Sequence, residues 1–220
     1  GAADGATIAR QLGQALAALP QGGAPNPARP ALLGDVAPQR VVRPLAAPQA
    51  VVILAQRGPE FGGPDHYPRM LLNFIIGGGD FSSRLMAELR VKRGLTYAVT
   101  SQFDYTPNGA LWSAEVLTSA PAVAAQLIRE QVQAVIEHGV TPQELQEAKE
   151  FLAGSFPLRL DTNSKQLNHM LLLYRYQLPR DYFDRAVENI QAVTLEQVNA
   201  VARTTLKPAQ WVEVVVGAVE

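Results

Sequence analysis

Apolar positions recur along this chain as unbroken runs, as alternation and at helical spacing. Ala50 to Ala55 (AVVILA) is a short continuous run of the kind that predicts a buried strand, and Trp211 to Val216 (WVEVVV) predicts another at the end. Thr96–Tyr105 and Ala110–Leu117 flank Thr106-Pro107-Asn108-Gly109, and Asn-Gly between two such segments predicts a hairpin. In its second strand Ala110, Trp112, Ala114 and Val116 fall on one face, Ser113 and Glu115 on the other. Helical spacing places Ile8, Leu12, Ala15, Leu16 and Leu19 on one side of a helix over Ala6–Leu19. His66 to Ile76 presents Met70, Leu71, Phe74 and Ile75, admits Pro68 in its first turn, and is expected to stop at Gly77, Gly78 and Gly79. Ser82 or Ser83 can cap a helix reaching about Val91, with Leu85, Met86 and Leu89 inward.

The second half reads as helices. One opens at Ser119 and Pro121 and ends at Gly139. Thr141-Pro142-Gln143-Glu144 is a capping box with proline at the first helical position. Further helices are expected over Leu167–Tyr176, over Asp181 to about Ile190, and from a cap at Thr194 to about Leu206. Strands first, helices next and a strand last predict an α+β fold, a mainly antiparallel sheet with helices packed on one face. Prolines crowd between Pro20 and Pro48, so residues 1–19 are expected to be a helix left from a preceding half-domain, 20–48 a linker, and 49–220 the α+β domain.

Composition narrows the function. Apolar residues make up 47% of the 220, and 19 basic against 20 acidic side chains leave a net charge of −1. A nucleic-acid binder needs a basic excess to displace counterions, so that class is set aside. The absence of cysteine excludes disulfides and thiolate metal sites. No apolar run reaches the ~20 residues of a transmembrane helix, and the start lacks the pattern of a signal peptide.

Candidate chemistry is sparse. His66, His138 and His169 have no histidine partner three or four residues away, and Ala134-Val135-Ile136-Glu137-His138 has alanine where H-x-x-E-H needs its first ligand. No metal site is expected, and all three are read as surface or helix-end histidines. The triglycine lacks the lysine–hydroxyl pair of a phosphate loop and follows a helix, so it reads as a helix stop or as a place for close backbone approach, such as a bound peptide. No G-x-S-x-G is present. Arg90, at a helix end, and Tyr97, at a strand start, are joined by a turn through Lys92, Arg93 and Gly94. Either they are an ordinary helix-end arginine and strand-edge tyrosine or they act together.

The run Gly77-Gly78-Gly79-Asp80-Phe81-Ser82-Ser83-Arg84-Leu85, followed by Leu89-Arg90 and Arg93-Gly94-Leu95-Thr96-Tyr97, resembles the C-terminal half of the pitrilysin/insulinase-like zinc peptidases, which include the mitochondrial processing peptidase and bacterial relatives. The likeness continues through Thr141–Leu145, Ala148-Lys149, Gly154-Ser155-Phe156 and Val214–Gly217. The resemblance implies one half of a clam-like enzyme whose other half carries H-x-x-E-H and zinc, on the same polypeptide or a separate subunit. It implies no cofactor in this chain and no hydrolysis by this half alone. It also implies that Arg90 and Tyr97 face the scissile carbonyl of an extended peptide and donate to its developing oxyanion, while Gly77, Gly78, Gly79 and Phe81 line the peptide's channel. Family habit points to a bacterial periplasm or cell envelope. The alternative is a non-catalytic scaffold like the core proteins of the respiratory cytochrome complex, against which the presence of both Arg90 and Tyr97 argues.

Overall fold

A computed structural model of the chain describes residues 4–20, 22, 36–106 and 109–218. Helix α1 (Gly5–Leu16) is followed by β1 (Gln39–Pro44), β2 (Ala50–Gly58), α2 (His66–Asn73), a π-turn (Phe74–Gly78) and a π-wound helix (Met86–Lys92). Then come β3 (Val99–Thr106), β4 (Gly109–Thr118), α3 (Pro121–His138), α4 (Pro142–Ser155), α5 (Asn163–Arg175), α6 (Ala186–Ala192), α7 (Leu195–Thr205) and β5 (Val212–Gly217).

The five strands form one sheet in the order β1-β5-β2-β4-β3. β2 pairs antiparallel with both β4 and β5, and β3 antiparallel with β4. One face collects Val52, Leu54, Trp112, Ala114, Val116 and Val215, all fully buried beneath the helices. Side chains alternate across a strand, so the period-two pattern of β4 puts its small and aromatic residues on that face together. Each large apolar side chain buried this way contributes roughly 1.5–3 kcal/mol. The α+β arrangement is therefore as the element order predicts.

Two side-chain amides, Gln56 buried and Asn73 half-buried, stitch the layers. Gln56 accepts from the Trp211 indole at 2.6 Å and the Lys207 amide at 2.7 Å, and donates to Thr205 O at 2.6 Å. This joins β2 to the end of α7. Asn73 donates to Ser101 O at 2.9 Å, while its Oδ1 accepts from Ser101 Oγ at 2.9 Å and the Trp112 indole at 3.1 Å. That set fastens the end of α2 to β3 and β4.

Several expectations need correction. Gln39–Pro44, inside the expected linker 20–48, is strand β1, which pairs parallel with β5 at the sheet edge. Being an edge strand with no fully buried residue, it carries no hydrophobic signature. The helix does stop within the triglycine, but only at Gly79, after widening into a π-turn through Gly78. The later helices are α5 over Asn163–Arg175 and α6 over Ala186–Ala192, with turns over 180–185 where helix was expected. His66 is the first residue of α2, a helix end as expected, but it is buried and does not lie at the surface. Thr106 pairs with Gly109 as the hairpin requires, and the tip at 107–108 lies outside the described residues. α1 buries none of its residues.

Candidate functional site

Ser83, fully buried, begins the helix that carries Arg90: its backbone oxygen accepts from the Ala87 amide at 3.0 Å. Leu85, Met86 and Leu89 hold the inner side in the core. Just before it, Asp80 takes φ +45° and accepts from Ser83 Oγ at 2.8 Å and Ser83 N at 3.1 Å. This tight turn leaves Phe81 projecting, 63% exposed.

The helix ends at Gly94. Its φ of +62° belongs to the left-handed region that glycine enters without penalty. Gly94 N bonds to Arg90 O at 3.0 Å and Leu95 N to Leu89 O at 2.9 Å, closing the last turn. The returning chain is then pinned on both sides of the tyrosine. Thr118 Oγ1 donates to Leu95 O at 2.7 Å, and Thr96 Oγ1 donates to Leu117 O at 2.7 Å and accepts from Ala98 N at 3.1 Å.

These constraints bring Tyr97 back beside Arg90. The guanidinium carbon lies 4.3 Å from the Tyr97 ring centroid and 4.4 Å from that of Phe81. Rings lie over the cation on two sides, a cation–π arrangement that orients it without using its N–H donors. No hydrogen bond or ion pair joins the Arg90 or Tyr97 side chain to another described residue. Neighbouring charge is accounted for: Glu88 pairs with Lys92 and Arg93, each at 2.9 Å, and those bonds hold its carboxyl below its ordinary range.

The glycines divide. Gly77 is buried, and a β-carbon on it would meet Ser101 N and Oγ at 2.7 Å. Gly78 is exposed and Gly79 half-buried; their β-carbons would meet Asn73 Nδ2 at 2.7 Å and Phe74 O at 2.8 Å. Arg90, Tyr97 and Phe81 thus share one open corner, whereas Gly77 serves the packing beneath it.

One contact behind the corner has no local sequence signal. Arg84 grips Glu144 through two hydrogen bonds of 2.6 and 2.7 Å and donates to Gly139 O at 3.1 Å. Glu144 also completes the capping box of α4. Burial pushes its carboxyl up, but Arg84 and Thr141 outweigh this and hold it below the ordinary range. The two partners are sixty residues apart, and only the tertiary fold brings them together.

The residues here do not suit zinc. Among the described residues no three of the metal-binding types His, Cys, Asp or Glu gather as an ion would need. His66 is buried among rings, its Nδ1 has no hydrogen-bond partner, and burial, aided by Arg69, pushes its pKa down to about 4. The sequence offered no sign of this, because burial of a lone histidine depends on what packs around it.

The fold is that of a domain of the zinc-protease-like type, with no metal ligand cluster among its described residues. The family model described as "Peptidase M16 inactive domain" matches residues 1–152, and the chain belongs to that family. It is 36% identical over 131 residues to "Non-peptidase homolog YmxG" of Helicobacter pylori, a match covering 59% of this chain and 30% of that protein. To "Uncharacterized zinc protease YmxG" of Bacillus subtilis it is 30% identical over 171 residues, 75% of this chain and 41% of that one. A crystal structure of a peptidase M16 inactive domain from Pseudomonas fluorescens superposes with a TM-score of 0.84 at 28% identity, over 99% of this chain and 52% of the other. The chain spans less than half the length of these two curated relatives.

Proposed function

We propose that this domain is the substrate-binding and transition-state-stabilising half of a zinc metallopeptidase, and that Arg90 and Tyr97 are the residues it contributes. The observation that carries this reading is the Arg90 stack: the guanidinium is oriented by Phe81 and Tyr97, yet no described residue takes its N–H donors, which can bond the oxygen of a bound peptide. A guanidinium and a phenol in this relation can donate to a peptide carbonyl as negative charge builds on it. Preorganised donors of this kind need no rearrangement as the reaction proceeds. On this reading the metal and H-x-x-E-H belong to a partner half, on the same polypeptide or another, and Gly78, Gly79 and Phe81 border the path of an extended peptide. Gly77 supports that path from beneath.

The reading is tested by combining the domain with an H-x-x-E-H-bearing half and following cleavage of an unfolded peptide. Activity should appear in the mixture and fall in Arg90→Ala and Tyr97→Phe variants. Undiminished activity in both would remove the roles assigned to them.

A second reading, a non-catalytic scaffold, is favoured by one observation: the Helicobacter pylori relative is named a non-peptidase homologue. A complex that assembles with its partner half and cleaves no peptide would support it.

A further inference from the structure

Beside the corner, β3 is an edge strand. The pairing of Thr106 with Gly109 alternates along the hairpin, so Ser101, Phe103 and Tyr105 turn their backbone N–H and C=O away from β4. At Ser101 that edge is closed, because Asn73 bonds the carbonyl and Gly77 crowds the amide. At Phe103 and Tyr105 no described residue bonds the outward groups. A cavity of about 820 Å³ opens where α2 and this stretch of β3 diverge, and α5 forms its far wall. Phe103, Tyr105, His66, Met70 and Phe156 give it an apolar interior, and none of its lining residues is acidic.

We propose that this cavity receives a large apolar side chain from an extended peptide that pairs with Phe103 and Tyr105. An added strand points alternate side chains to each face of the sheet. On the helical face at this edge, such a side chain would enter the cavity. Edge pairing supplies the affinity of such complexes and side-chain pockets their selectivity. The volume lies within the range of small-ligand sites. The buried Nδ1 of His66, unpartnered at the cavity wall, offers one polar contact inside it. Tyr97 is six residues from Phe103, which at the rise of a strand is roughly 20 Å. The selected side chain therefore sits well away from the corner. The inference rests on the reading that the domain handles extended peptides, but not on Arg90 and Tyr97 acting in hydrolysis.

The test is binding of fluorescein-labelled decapeptides to the 220-residue chain, followed by anisotropy. A peptide with one central phenylalanine should bind about tenfold or more tighter than its alanine counterpart, the value of burying one such side chain. N-methylation at alternate residues removes donors from one edge of the peptide. One methylated register should lose binding and the other keep it. Asn168→Trp, at an exposed position on the α5 wall, should weaken the phenylalanine peptide by a similar factor with an unchanged circular dichroism spectrum. Equal binding of the phenylalanine and alanine peptides, or of both methylated registers, overturns the proposal. So does undiminished binding of the phenylalanine peptide in Asn168→Trp, a result that leaves the role of the corner standing.

Discussion

A β-carbon built on Gly77 would stand 2.7 Å from both the amide nitrogen and Oγ of Ser101, a separation that real β-carbons do not reach. The π-turn brings the helix backbone against β3, and Thr100 Oγ1 donates to Gly77 O at 3.3 Å across the same junction. Gly77→Ala must therefore push the turn away from the strand. It should cost ~1–3 kcal/mol, the usual penalty of overpacking. Gly94→Ala meets no neighbour but keeps a positive φ, so its cost should be about 1–2 kcal/mol of backbone strain. Urea unfolding of the two variants ranks these effects. A Gly77→Ala protein as stable as the parent would show that the junction yields easily.

At the corner, the stack and the hydroxyl can be separated. Tyr97→Phe keeps the ring beside the Arg90 guanidinium and removes only the donor, so the fold should be unaffected. If the phenol donates to the oxyanion, cleavage by the reconstituted enzyme should fall by ~100–1000-fold, mostly in kcat. Arg90→Lys keeps the charge but loses the planar group that lies between the rings, and should not restore activity. A drop confined to KM would mean that Tyr97 holds the peptide without assisting the reaction.

Arg84 and Glu144 make a contact that stabilises rather than reacts. With both side chains largely shielded from water and two short bonds between them, Arg84→Ala should cost ~1–3 kcal/mol at pH 7. Glu144 ionises more readily folded than unfolded, so its contribution is present above the unfolded value, near ~4.3, and is lost as pH falls through the lower folded one. The stability gap between parent and Glu144→Gln should therefore narrow below about pH 4. Chemical denaturation at pH 7 and pH 3.5 measures that gap. A constant difference would place the effect in the helix cap alone.

What the sequence allows to be read follows from how local each feature is. Ala110, Trp112, Ala114 and Val116 alternate because one face of β4 is fully buried, and both capping boxes are closed within four residues. The approach of Arg90 and Tyr97 is set by one turn at Gly94, so it too leaves a local trace. β1 leaves none: its partner is β5, some 170 residues on, and its residues stay largely exposed. The π-turn at 74–78 lies against β3 where Asn73 and Gly77 meet Ser101, a contact between segments. Phe81 reads as a channel residue by resemblance, but its place over Arg90 follows from the strained turn at Asp80.

His66 gives the chain a pH dependence through its burial. Buried against Phe61, with ring centroids 4.7 Å apart, it binds a proton only near pH 4, whereas in the unfolded chain it does so near ~6.5. Between those values the unfolded state holds more protons, so stability falls as pH drops from about 6.5 toward 4. The full difference amounts to ~3 kcal/mol, about 2 of it already lost at pH 5. His66→Phe keeps an aromatic ring beside Phe61 and cannot titrate. Urea midpoints at pH 7 and pH 5 should fall further in the parent than in this variant. Equal falls would show that His66 protonates freely in the folded protein, as a histidine open to water does.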